Sequence, residues 1–320
     1  MKRENFKTPA KEDITRAAER IAPYVHRTPV LTCRSLDKIS GAELYFKCEN
    51  FQKVGAFKFR GATNAVMSLS DEEASQGVAT HSSGNHAQAL ALAAKMRGIK
   101  AHIVMPKSAP EVKVNAVKGY GGEVVFCEPT LRAREEALDE VVKRTGAAFI
   151  HPYNDLRIIA GQASAAKELL EEVEDLDIIV APVGGGGLLS GTALSACYFG
   201  DGVKVMAAEP AGADDAFRSF KSGVPVPSEN PQTIADGLLT SLGDITFSMV
   251  REYVDDMVTV REDTIITAMR YIWERMKVVA EPSGAVPLAG VLEHAGLFRA
   301  KRVGIIISGG NVDLARLPWR

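Results

Sequence analysis

Lys58 has sequence neighbours that favour nucleophilic chemistry at its amine. It lies in the segment GAFKFRGA, between Phe57 and Phe59 and directly before an amphipathic run. An amine among apolar side chains loses the hydration that its charged form needs, so its pKa falls and more of it is the neutral nucleophile that forms Schiff bases. The same string also fits a surface lysine on the first turn of a helix. Partners elsewhere in the chain must therefore decide its role.

A run of four glycines, Gly184 to Gly187, follows an apolar stretch and precedes a predicted helix. Without side chains, the backbone N–H groups of such a loop can approach a phosphate closely. The run does not match G-x-x-x-x-G-K-[ST]. It also fails G-x-G-x-x-G, because Ser190 stands at the third glycine position counted from Gly185. A small monoester phosphate is therefore favoured over a pyrophosphate, with a purely structural turn as the alternative.

Two further polar turns also follow predicted strands, where α/β sheets gather their ligands. In HSSGNHAQ, residues 81–88, hydroxyls, free N–H groups and an amide stand at the start of a predicted helix. This arrangement suits a carboxylate or another anion, although a simple helix cap would have the same residues. In IISGGNVD, the hydroxyl of Ser308 follows an apolar strand and could meet a ligand heteroatom.

The composition is that of an ordinary water-soluble globular protein. The 320 residues are 46% hydrophobic and 24% charged, with a formal net charge of −2, so we expect about two domains and no nucleic-acid or membrane partner. Four widely spaced cysteines without a C-x-x-C motif indicate reduced thiols. The charged start MKRENFKTPAKED lacks an apolar signal region, so we expect a cytoplasmic protein.

Strands and helices alternate along most of the sequence, which predicts βαβ units and parallel sheets. The apolar strands IIVAPV and VGIIIS fit sheets covered on both faces. Residues 210–245 are rich in Pro, Gly, Ser and Asn, and we expect loops with short helices there. The predicted helices are 12–23, 59–69, 88–96, 110–119, 131–144, 162–173, 187–199, 262–277 and 283–294, and the predicted strands are 43–47, 77–81, 101–105, 123–127, 147–150, 177–183, 203–209 and 302–308.

Five segments of this chain resemble, in order and spacing, the β family (fold type II) of pyridoxal-phosphate enzymes, in its serine racemase and serine/threonine dehydratase branch. These segments are GAFKFRGA, HSSGNHAQ, GGGGLLSG, EPSGA and SGGNVD. The resemblance covers nearly all of the chain. It implies an α/β fold similar to tryptophan synthase β, with two domains, each a mostly parallel sheet covered by helices. A large cofactor-binding domain would comprise residues 1–75 and 156–320, and a small mobile domain residues 76–155.

The resemblance also implies roles for individual residues. Lys58 would carry pyridoxal phosphate as a Schiff base, and Ser83 would be the second catalytic residue. The other implied cofactor contacts are Phe57, Asn85, Gly184, Gly185, Gly186, Gly187, Leu188, Glu281 and, at the pyridine nitrogen, Ser308. The implied substrate contacts are Ser82, Ser83, Gly84, Asn85 and His86, with Arg134 and Ser241 as neighbours.

Two regulatory sites are implied by the same resemblance. A cation site for Mg²⁺ or Ca²⁺ would use Glu209, the carbonyl of Ala213, and Asp215, since hard cations prefer oxygen ligands. An acidic loop without a metal is the alternative. Activation by ATP at a dimer interface would involve Lys53, Gln88, Lys113 and Asn311. Cys33 and Arg34 depart from the serines of the animal enzymes, which disfavours nucleotide activation.

The activity that the resemblance implies is serine racemisation together with elimination of water from serine or threonine, in a homodimer. The loop reads SSGNH, and a serine at position 83 fits the racemase branch, whereas threonine dehydratases typically resemble SAGNH. Hydroxyaspartate dehydratases also resemble SSGNH, so a dedicated threonine/serine or 3-hydroxyaspartate dehydratase is the alternative. Two further hypotheses are a non-catalytic amino-acid-binding α/β protein and a β-replacement enzyme that uses sulfide.

Overall fold

The computed structural model describes residues 7–319. The first six residues of the segment MKRENFKTPAKED, for which we predicted no signal region, lie outside the described residues. Ten strands alternate with helices along most of the described chain. The strands are β1 (Val30–Thr32), β2 (Glu43–Cys48), β3 (Val78–His81), β4 (Ala101–Pro106), β5 (Glu123–Cys127), β6 (Ala148–Phe149), β7 (Ile178–Pro182), β8 (Lys204–Pro210), β9 (Asp256–Val260) and β10 (Arg302–Ile307).

The α-helices cover both faces of the sheets that these strands form. They are α1 (Lys11–Ile21), α2 (Arg34–Ser40), α3 (Lys58–Met67), α4 (Asp71–Ser75), α5 (Asn85–Arg97), α6 (Glu111–Gly119), α7 (Leu131–Thr145), α8 (Leu156–Glu172), α9 (Gly187–Phe199), α10 (Asp215–Ser222), α11 (Asp244–Tyr253), α12 (Glu262–Tyr271), α13 (Pro282–Glu293) and α14 (Ala295–Phe298).

The strands form two separate sheets. The larger has six strands in the order β1-β2-β10-β7-β8-β9, and the smaller has four in the order β5-β4-β3-β6. All pairs are parallel except β1 with β2. The predicted α/β class with mostly parallel sheets is therefore confirmed. The strands of the smaller sheet fall within residues 78–149, whereas the domain bounds stay a prediction.

Apolar side chains on both faces of the larger sheet explain its near-continuous hydrophobic strands. On one face, β10 residues such as Ile305 pack with α12 and α13, and on the other Ile306 packs with α8 and α9 residues such as Leu169 and Leu189. The smaller sheet packs against α3 and α5, including Phe59 and Leu90. Burial on both faces is what crossover helices produce in parallel sheets.

Several predicted bounds were wrong for identifiable local reasons. Helix α8 begins at Leu156 and not at 162, because the side chain of Asp155 caps it by accepting the N–H of Arg157 at 2.8 Å. The predicted helix 262–277 is α-helical only to Tyr271. A π-helical turn, Ile272–Met276, follows, and Lys277 caps it with a φ of 62°. Strand β9 and helix α2 were not predicted, whereas the eight-residue helix α10 agrees with the short helices predicted within 210–245.

Candidate active site

One cavity of about 360 Å³ lies where strands of both sheets end, and it gathers most of the predicted site residues. Parallel strands bring their carboxyl ends to one edge, so turns that are distant in sequence meet there. The predicted residues that line it are Phe57, Lys58, Ser82, Ser83, Gly84, Asn85, His86, Lys113, Arg134, Gly184, Gly185, Gly186, Gly187, Leu188, Glu281, Ser308 and Asn311. Ser241, Lys53 and Gln88 are not among its lining residues.

Lys58 is the first residue of α3, and its amine lies inside the cavity. The turn before it is tied to the end of β10, because the N–H of Phe57 donates to the carbonyl of Ser308 at 3.0 Å. The Lys58 Nζ donates to the carbonyl of Pro152 at 2.8 Å. Burial lowers the pKa of this amine from 10.5 to about 8, because the charged form loses hydration. A substantial neutral fraction is therefore present near neutral pH, as a Schiff-base nucleophile requires.

The glycine run forms a tight loop between β7 and α9, with Gly186 in the left-handed region at φ 86°. A Cβ built on Gly185 would lie 2.3 Å from Cδ1 of Tyr153, and one on Gly186 would lie 2.6 Å from Leu242. The N–H groups of Gly184, Gly185 and Gly186 donate to no other group of residues 7–319. Only glycine fits this loop, and among the described residues its backbone N–H groups remain free at the amino end of a helix. Such donors suit a phosphate.

Asn85, Glu281 and Asn311 form a hydrogen-bonded network at the wall of the cavity. Asn85 Nδ2 donates to Glu281 Oε1 at 3.0 Å, and Asn85 Oδ1 accepts from Asn311 Nδ2 at 2.9 Å. The N–H of Asn311 also donates to Glu281 Oε2 at 3.0 Å. Burial raises the pKa of Glu281 to about 7, and the nearby charge of Asp236 adds to this. Asn85 Nδ2 also lies 3.3 Å from Glu281 Oε2, so one N–H shared between the two oxygens of this carboxylate fixes the amide and leaves the other N–H for a ligand.

The loop from Ser82 to His86 supplies hydroxyls and N–H groups from the end of β3 to the start of α5. The N–H of Gly84 lies 3.4 Å from Ser82 Oγ, and nothing lies within 4 Å of a Cβ built on Gly84. His86 is buried, and burial together with the charge of Lys58 holds its pKa well below the usual range. It is therefore neutral, so the anion-binding capacity of this loop comes from its donors and the helix terminus.

Arg134 brings a cation to the cavity from α7. Its Nε is buried and has no hydrogen-bond partner among the described residues. By contrast, Lys113 is paired across the cavity rim with Asp236, at 2.7 Å between Nζ and Oδ2. Ser241 lies away from the lining, and its Oγ accepts the N–H of Ser228 at 2.7 Å. Of the two predicted neighbours of the substrate, Arg134 alone lines the cavity.

Sequence patterns did not identify an aromatic cluster on the β6 side of the cavity. It comprises His81, Phe149, His151 and Tyr153, with ring centroids 4.6 Å apart for His151 and Tyr153 and 5.7 Å apart for Phe149 and His151. His81 and Tyr153 line the cavity together with Pro152. His81 ends β3, Phe149 ends the two-residue strand β6, and His151 and Tyr153 follow it; a strand that short gives no periodic signal.

The acidic loop after β8 brings two buried carboxylates together. Glu209 Oε1 accepts the N–H of Ala216 at 3.0 Å, whereas neither carboxylate oxygen of Asp215 has a partner among the described residues. Burial raises the pKa of Glu209 to about 9, and the charge of Asp215 contributes. Residues 7–319 contain no cluster of three His, Cys, Asp or Glu side chains suited to a metal. The predicted set is of another kind, because one of its ligands is the carbonyl of Ala213.

The predicted nucleotide residues are dispersed. Lys113 and Asn311 line the cavity and are engaged there by Asp236 and Asn85. Lys53 lies over the ring of Phe59, at 5.9 Å to the centroid, and Gln88 is buried in α5.

The described residues fit pyridoxal phosphate by their own chemistry. An amine with a lowered pKa, a glycine loop with unused N–H donors and the Ser308 hydroxyl at the end of β10 line the same cavity. These groups match the aldehyde, the phosphate and the pyridine nitrogen of the cofactor. The family resemblance implied this cofactor, and the tertiary structure brings the three features to one cavity.

The comparisons agree with this chemistry. The family model described as pyridoxal-phosphate dependent enzyme matches residues 21–309. The chain is 51% identical to a β-hydroxyaspartate dehydratase of Paracoccus denitrificans, over 97% of this chain and 99% of that protein. It is 54% identical to a serine racemase of Arabidopsis thaliana, over 95% of this chain and 93% of that protein. The structure of maize serine racemase superposes with a TM-score of 0.95 at 48% identity, covering 97% of this chain and 95% of that one.

Among residues 7–319, no helix combines the length and the apolar character needed to cross a lipid bilayer.

Proposed function

The chain belongs to the family of pyridoxal-phosphate dependent enzymes, and from this premise we propose that it is a serine racemase that also eliminates water from serine and threonine. The elimination products are a keto acid and ammonia. The observation that carries the proposal is the presence of the Ser83 hydroxyl in the same cavity as the Lys58 amine. Racemisation needs two proton-handling groups, and these two side chains can supply them.

In this proposal, different residues of the chain contact different parts of the cofactor. Lys58 holds it as a Schiff base beside Phe57, and the N–H groups of residues 184–188 bind its phosphate. Asn85 donates its remaining N–H to the phenolic oxygen, with Glu281 orienting that amide. Ser308 meets the pyridine nitrogen with a hydroxyl, which holds that nitrogen protonated less firmly than a carboxylate does. When bound, pyridoxal phosphate would supply the carbon that bonds to the substrate amine in place of Lys58 Nζ, which would free that lysine amine, and a ring that would withdraw electrons from the substrate α-carbon.

The reaction then depends on proton transfers by two side chains. The Lys58 amine removes the α-proton as general base, and its lowered pKa suits that task near neutral pH. If the Ser83 hydroxyl delivers a proton to the other face of the α-carbon, the product is the opposite enantiomer. If the β-hydroxyl leaves as water, the result is elimination. The loop from Ser82 to His86 holds the substrate carboxylate throughout.

A second candidate function is dehydration of 3-hydroxyaspartate without useful racemisation. The observation that favours it is the buried Nε of Arg134, which has no partner among the described residues and lines the cavity. A second substrate carboxylate would pair with such a guanidinium, whereas serine has none to offer. Similarity to the β-hydroxyaspartate dehydratase of Paracoccus denitrificans supports the same candidate.

Removal of the Lys58 amine tests the cofactor assignment. Purified native protein should show a visible Schiff-base band, and Lys58→Ala should lack it because no other amine replaces Nζ. Lys53→Ala is the matched control, since that lysine lies outside the cavity lining. A visible band that persists in Lys58→Ala would contradict the assignment of Lys58 as the cofactor-binding lysine.

Ser83→Ala tests the choice of activity. We expect it to lose racemisation of serine while it keeps elimination, because only racemisation needs a proton on the second face. Product enantiomers and keto acid are measured from L-serine, D-serine, threonine and 3-hydroxyaspartate. Retention of full racemisation would remove Ser83 from the mechanism.

Arg134→Leu separates the two candidate functions. If 3-hydroxyaspartate is the substrate, kcat/KM for it should fall by about 10²-fold or more, as expected for a lost charge-assisted pair worth roughly 3 kcal/mol. The value for serine should change far less. Equal losses for both substrates would assign Arg134 to the shared α-carboxylate.

The remaining predictions belong to the same proposal. We propose a homodimer in the cytoplasm, a Mg²⁺ or Ca²⁺ site at Glu209, Ala213 and Asp215, and mobility of residues 76–155 relative to residues 1–75 and 156–320. Activation by ATP through Lys53, Gln88, Lys113 and Asn311 is the least supported of these, because the four side chains are dispersed. Sedimentation tests the dimer, and cell fractionation tests the compartment. Solution scattering with and without substrate tests the domain movement, and activity assays with and without ATP test the activation.

A further inference from the structure

Residues 151–154 form a turn between β6 and α8 that is held together by one imidazole. The N–H groups of Tyr153 and Asn154 both donate to His151 Nδ1, at 3.2 and 2.9 Å. A ring nitrogen that accepts two hydrogen bonds carries no proton. His151 is therefore neutral with its proton on Nε2, and its acceptor nitrogen organises the turn.

The turn contacts the amine side of the cavity through one backbone atom. The carbonyl of Pro152 accepts the hydrogen bond from Lys58 Nζ at 2.8 Å. Pro152 stands directly between His151 and the first of the two N–H donors. The direction of its carbonyl thus depends on the hydrogen bonds to His151 Nδ1.

The same turn supports the glycine loop from two directions. The ring of Tyr153 covers Gly185 so closely that a Cβ there would lie 2.3 Å from Cδ1. Asn154 Oδ1 accepts the N–H of Ile245 at 3.1 Å, at the start of α11. In the next residue of that helix, Thr246 Oγ1 donates to the carbonyl of Gly185 at 2.8 Å. One four-residue turn therefore braces both the amine and the phosphate loop.

The surroundings of His151 lower its pKa and so favour the neutral ring. Burial, then His81 and then Lys58 lower the pKa of His151 to about 4, and the carboxylates of Asp155 and Asp244 only partly oppose them. Protonation of Nδ1 would also break both backbone hydrogen bonds. The ring is hence an acceptor across the physiological pH range.

We propose that His151 is a positioning residue whose unprotonated Nδ1 sets the turn that aims the Pro152 carbonyl at the Lys58 amine and closes Tyr153 over the glycine loop. The proposal rests on the cofactor site described above. It is independent of the choice between racemisation and dehydration, because it concerns the lysine amine and the phosphate loop alone.

The test measures cofactor loading and not turnover. Protein freed of cofactor is mixed with excess pyridoxal phosphate, and the growth of the visible Schiff-base band is followed at fixed pH. His151→Leu should slow this step about tenfold at saturating cofactor and weaken cofactor binding, since two supporting hydrogen bonds are lost. His151→Asn should restore the rate to within about threefold, because an Asn carbonyl can accept N–H groups two residues on.

A matched control keeps ring packing apart from hydrogen bonding. Phe149→Leu removes the aromatic contact with His151 but leaves the Nδ1 bonds, and Phe149 does not line the cavity. Its loading rate should equal that of the native protein. Lys58→Ala, measured alongside, shows whether the band reports Lys58 at all, so failure of the cofactor assignment is recognised separately.

A second measurement stays decisive even if His151→Leu does not fold. In ¹⁵N-histidine-labelled protein, the ring nitrogen shifts of His151, assigned by their absence from His151→Asn, should show an unprotonated Nδ1 at pH 7. A proton on Nδ1, native loading by folded His151→Leu, or slow loading by folded His151→Asn would each overturn the proposal.

Discussion

Lys58 illustrates how one residue acquires its chemistry from its surroundings. Its amine lies at the ends of strands from two sheets and donates to a carbonyl, and no carboxylate among residues 7–319 pairs with it. The pKa of about 8 follows from burial, which penalises the charged form. Such a lysine is a better nucleophile and base at neutral pH than an exposed one.

The first prediction concerns the pH dependence of loading. Only the neutral amine attacks the aldehyde, so the rate of Schiff-base formation in cofactor-free protein should rise with pH and level off above about pH 8. Stopped-flow absorbance at 25 °C measures it. The control is Nα-acetyl-lysine with the same cofactor, whose amine titrates near pH 10.4 and corrects for ionisation of the cofactor. A protein rate that still climbs at pH 10 would contradict the lowered pKa.

At the level of secondary-structure elements, a group of four charged side chains connects the end of β2 with helices α3 and α8. One of them, Arg60, lies two residues after Lys58 in α3. Arg60 Nε lies 2.7 Å from Glu49 Oε2 and its Nη1 lies 2.7 Å from Glu168 Oε1, while Lys47 Nζ lies 2.7 Å from Glu168 Oε2. The side chains of Arg60 and Glu49 are fully buried. The two positive and two negative charges balance, and the pairs hold the start of α3 against its neighbours.

The second prediction is that Arg60→Met lowers the free energy of unfolding by about 3–5 kcal/mol, because Glu49 stays buried without its partner. Urea unfolding followed by circular dichroism measures the change. Arg132→Gln is the matched control, since the pair of Arg132 with Glu136 is exposed, at 87% and 59% for the two side chains, and should cost no more than about 1 kcal/mol. A cost for Arg60→Met as small as that of the control would refute the argument.

Helices α3 and α8 cross at two glycines, which lets their backbones touch. A Cβ built on Gly161 would lie 2.6 Å from the Cα of Gly61 and 2.8 Å from the carbonyl oxygen of Arg60. Neither neighbour is a flexible side-chain end. The helices can therefore accept a larger residue only if they move apart.

The third prediction follows from this contact. Gly161→Ala should destabilise the protein by about 1–3 kcal/mol through overpacking and should slow cofactor loading, because α3 carries Lys58. Gly119→Ala is the control: this helical glycine has nothing within 4 Å of the added Cβ, and the change should be neutral or stabilising by up to about 1 kcal/mol. Thermal unfolding and the loading assay are read on both variants, and equal behaviour would contradict the packing argument.

For the molecule as a whole, two buried carboxyl groups near the end of β8 are the feature most relevant to cation binding. Glu209 and Asp215 are both buried, burial raises the pKa of each, and the oxygens of Asp215 have no partner among residues 7–319. The Glu209 oxygens accept the N–H groups of Ala216 and Phe217 at 3.0 and 2.7 Å, so the oxygens of Asp215 are the ones left for a ligand. Buried carboxylate oxygens without partners suit a divalent cation.

The fourth prediction is that Mg²⁺ or Ca²⁺ stabilises the folded protein, by about 2.7 kcal/mol at a hundredfold excess over its Kd, because the cation binds the folded state. Thermal unfolding with and without the cation measures this. Asp215→Asn should abolish the effect, and Asp214→Asn should keep it, because Asp214 is paired with Arg218 at 2.8 Å on the surface. An unchanged effect in Asp215→Asn would place the cation elsewhere.

The α/β class, most strands and helices, and the groups suited to the cofactor were predictable from residue types and their spacing. These features follow from local rules: the period of apolar residues, the turns at strand ends, and motifs such as GAFKFRGA and VGGGGLLSG whose residue types carry their own chemistry. The same rules missed β9 and the start of α8, where a short apolar run and the side-chain cap of Asp155 decided the outcome.

Which of these groups meet depends on how the two sheets are arranged, and this was not predictable from the local pattern. The edges of two sheets brought Lys58, Ser83 and the glycine loop to one cavity and left Ser241 outside its lining. They also placed Arg134 there, with a buried Nε that has no partner within the described part of the chain. The turn at His151 was not predicted from the sequence. A carbonyl, an imidazole nitrogen and two N–H groups form it, and such contacts depend on how the chain is folded back between sheets, which no periodicity of residue types records.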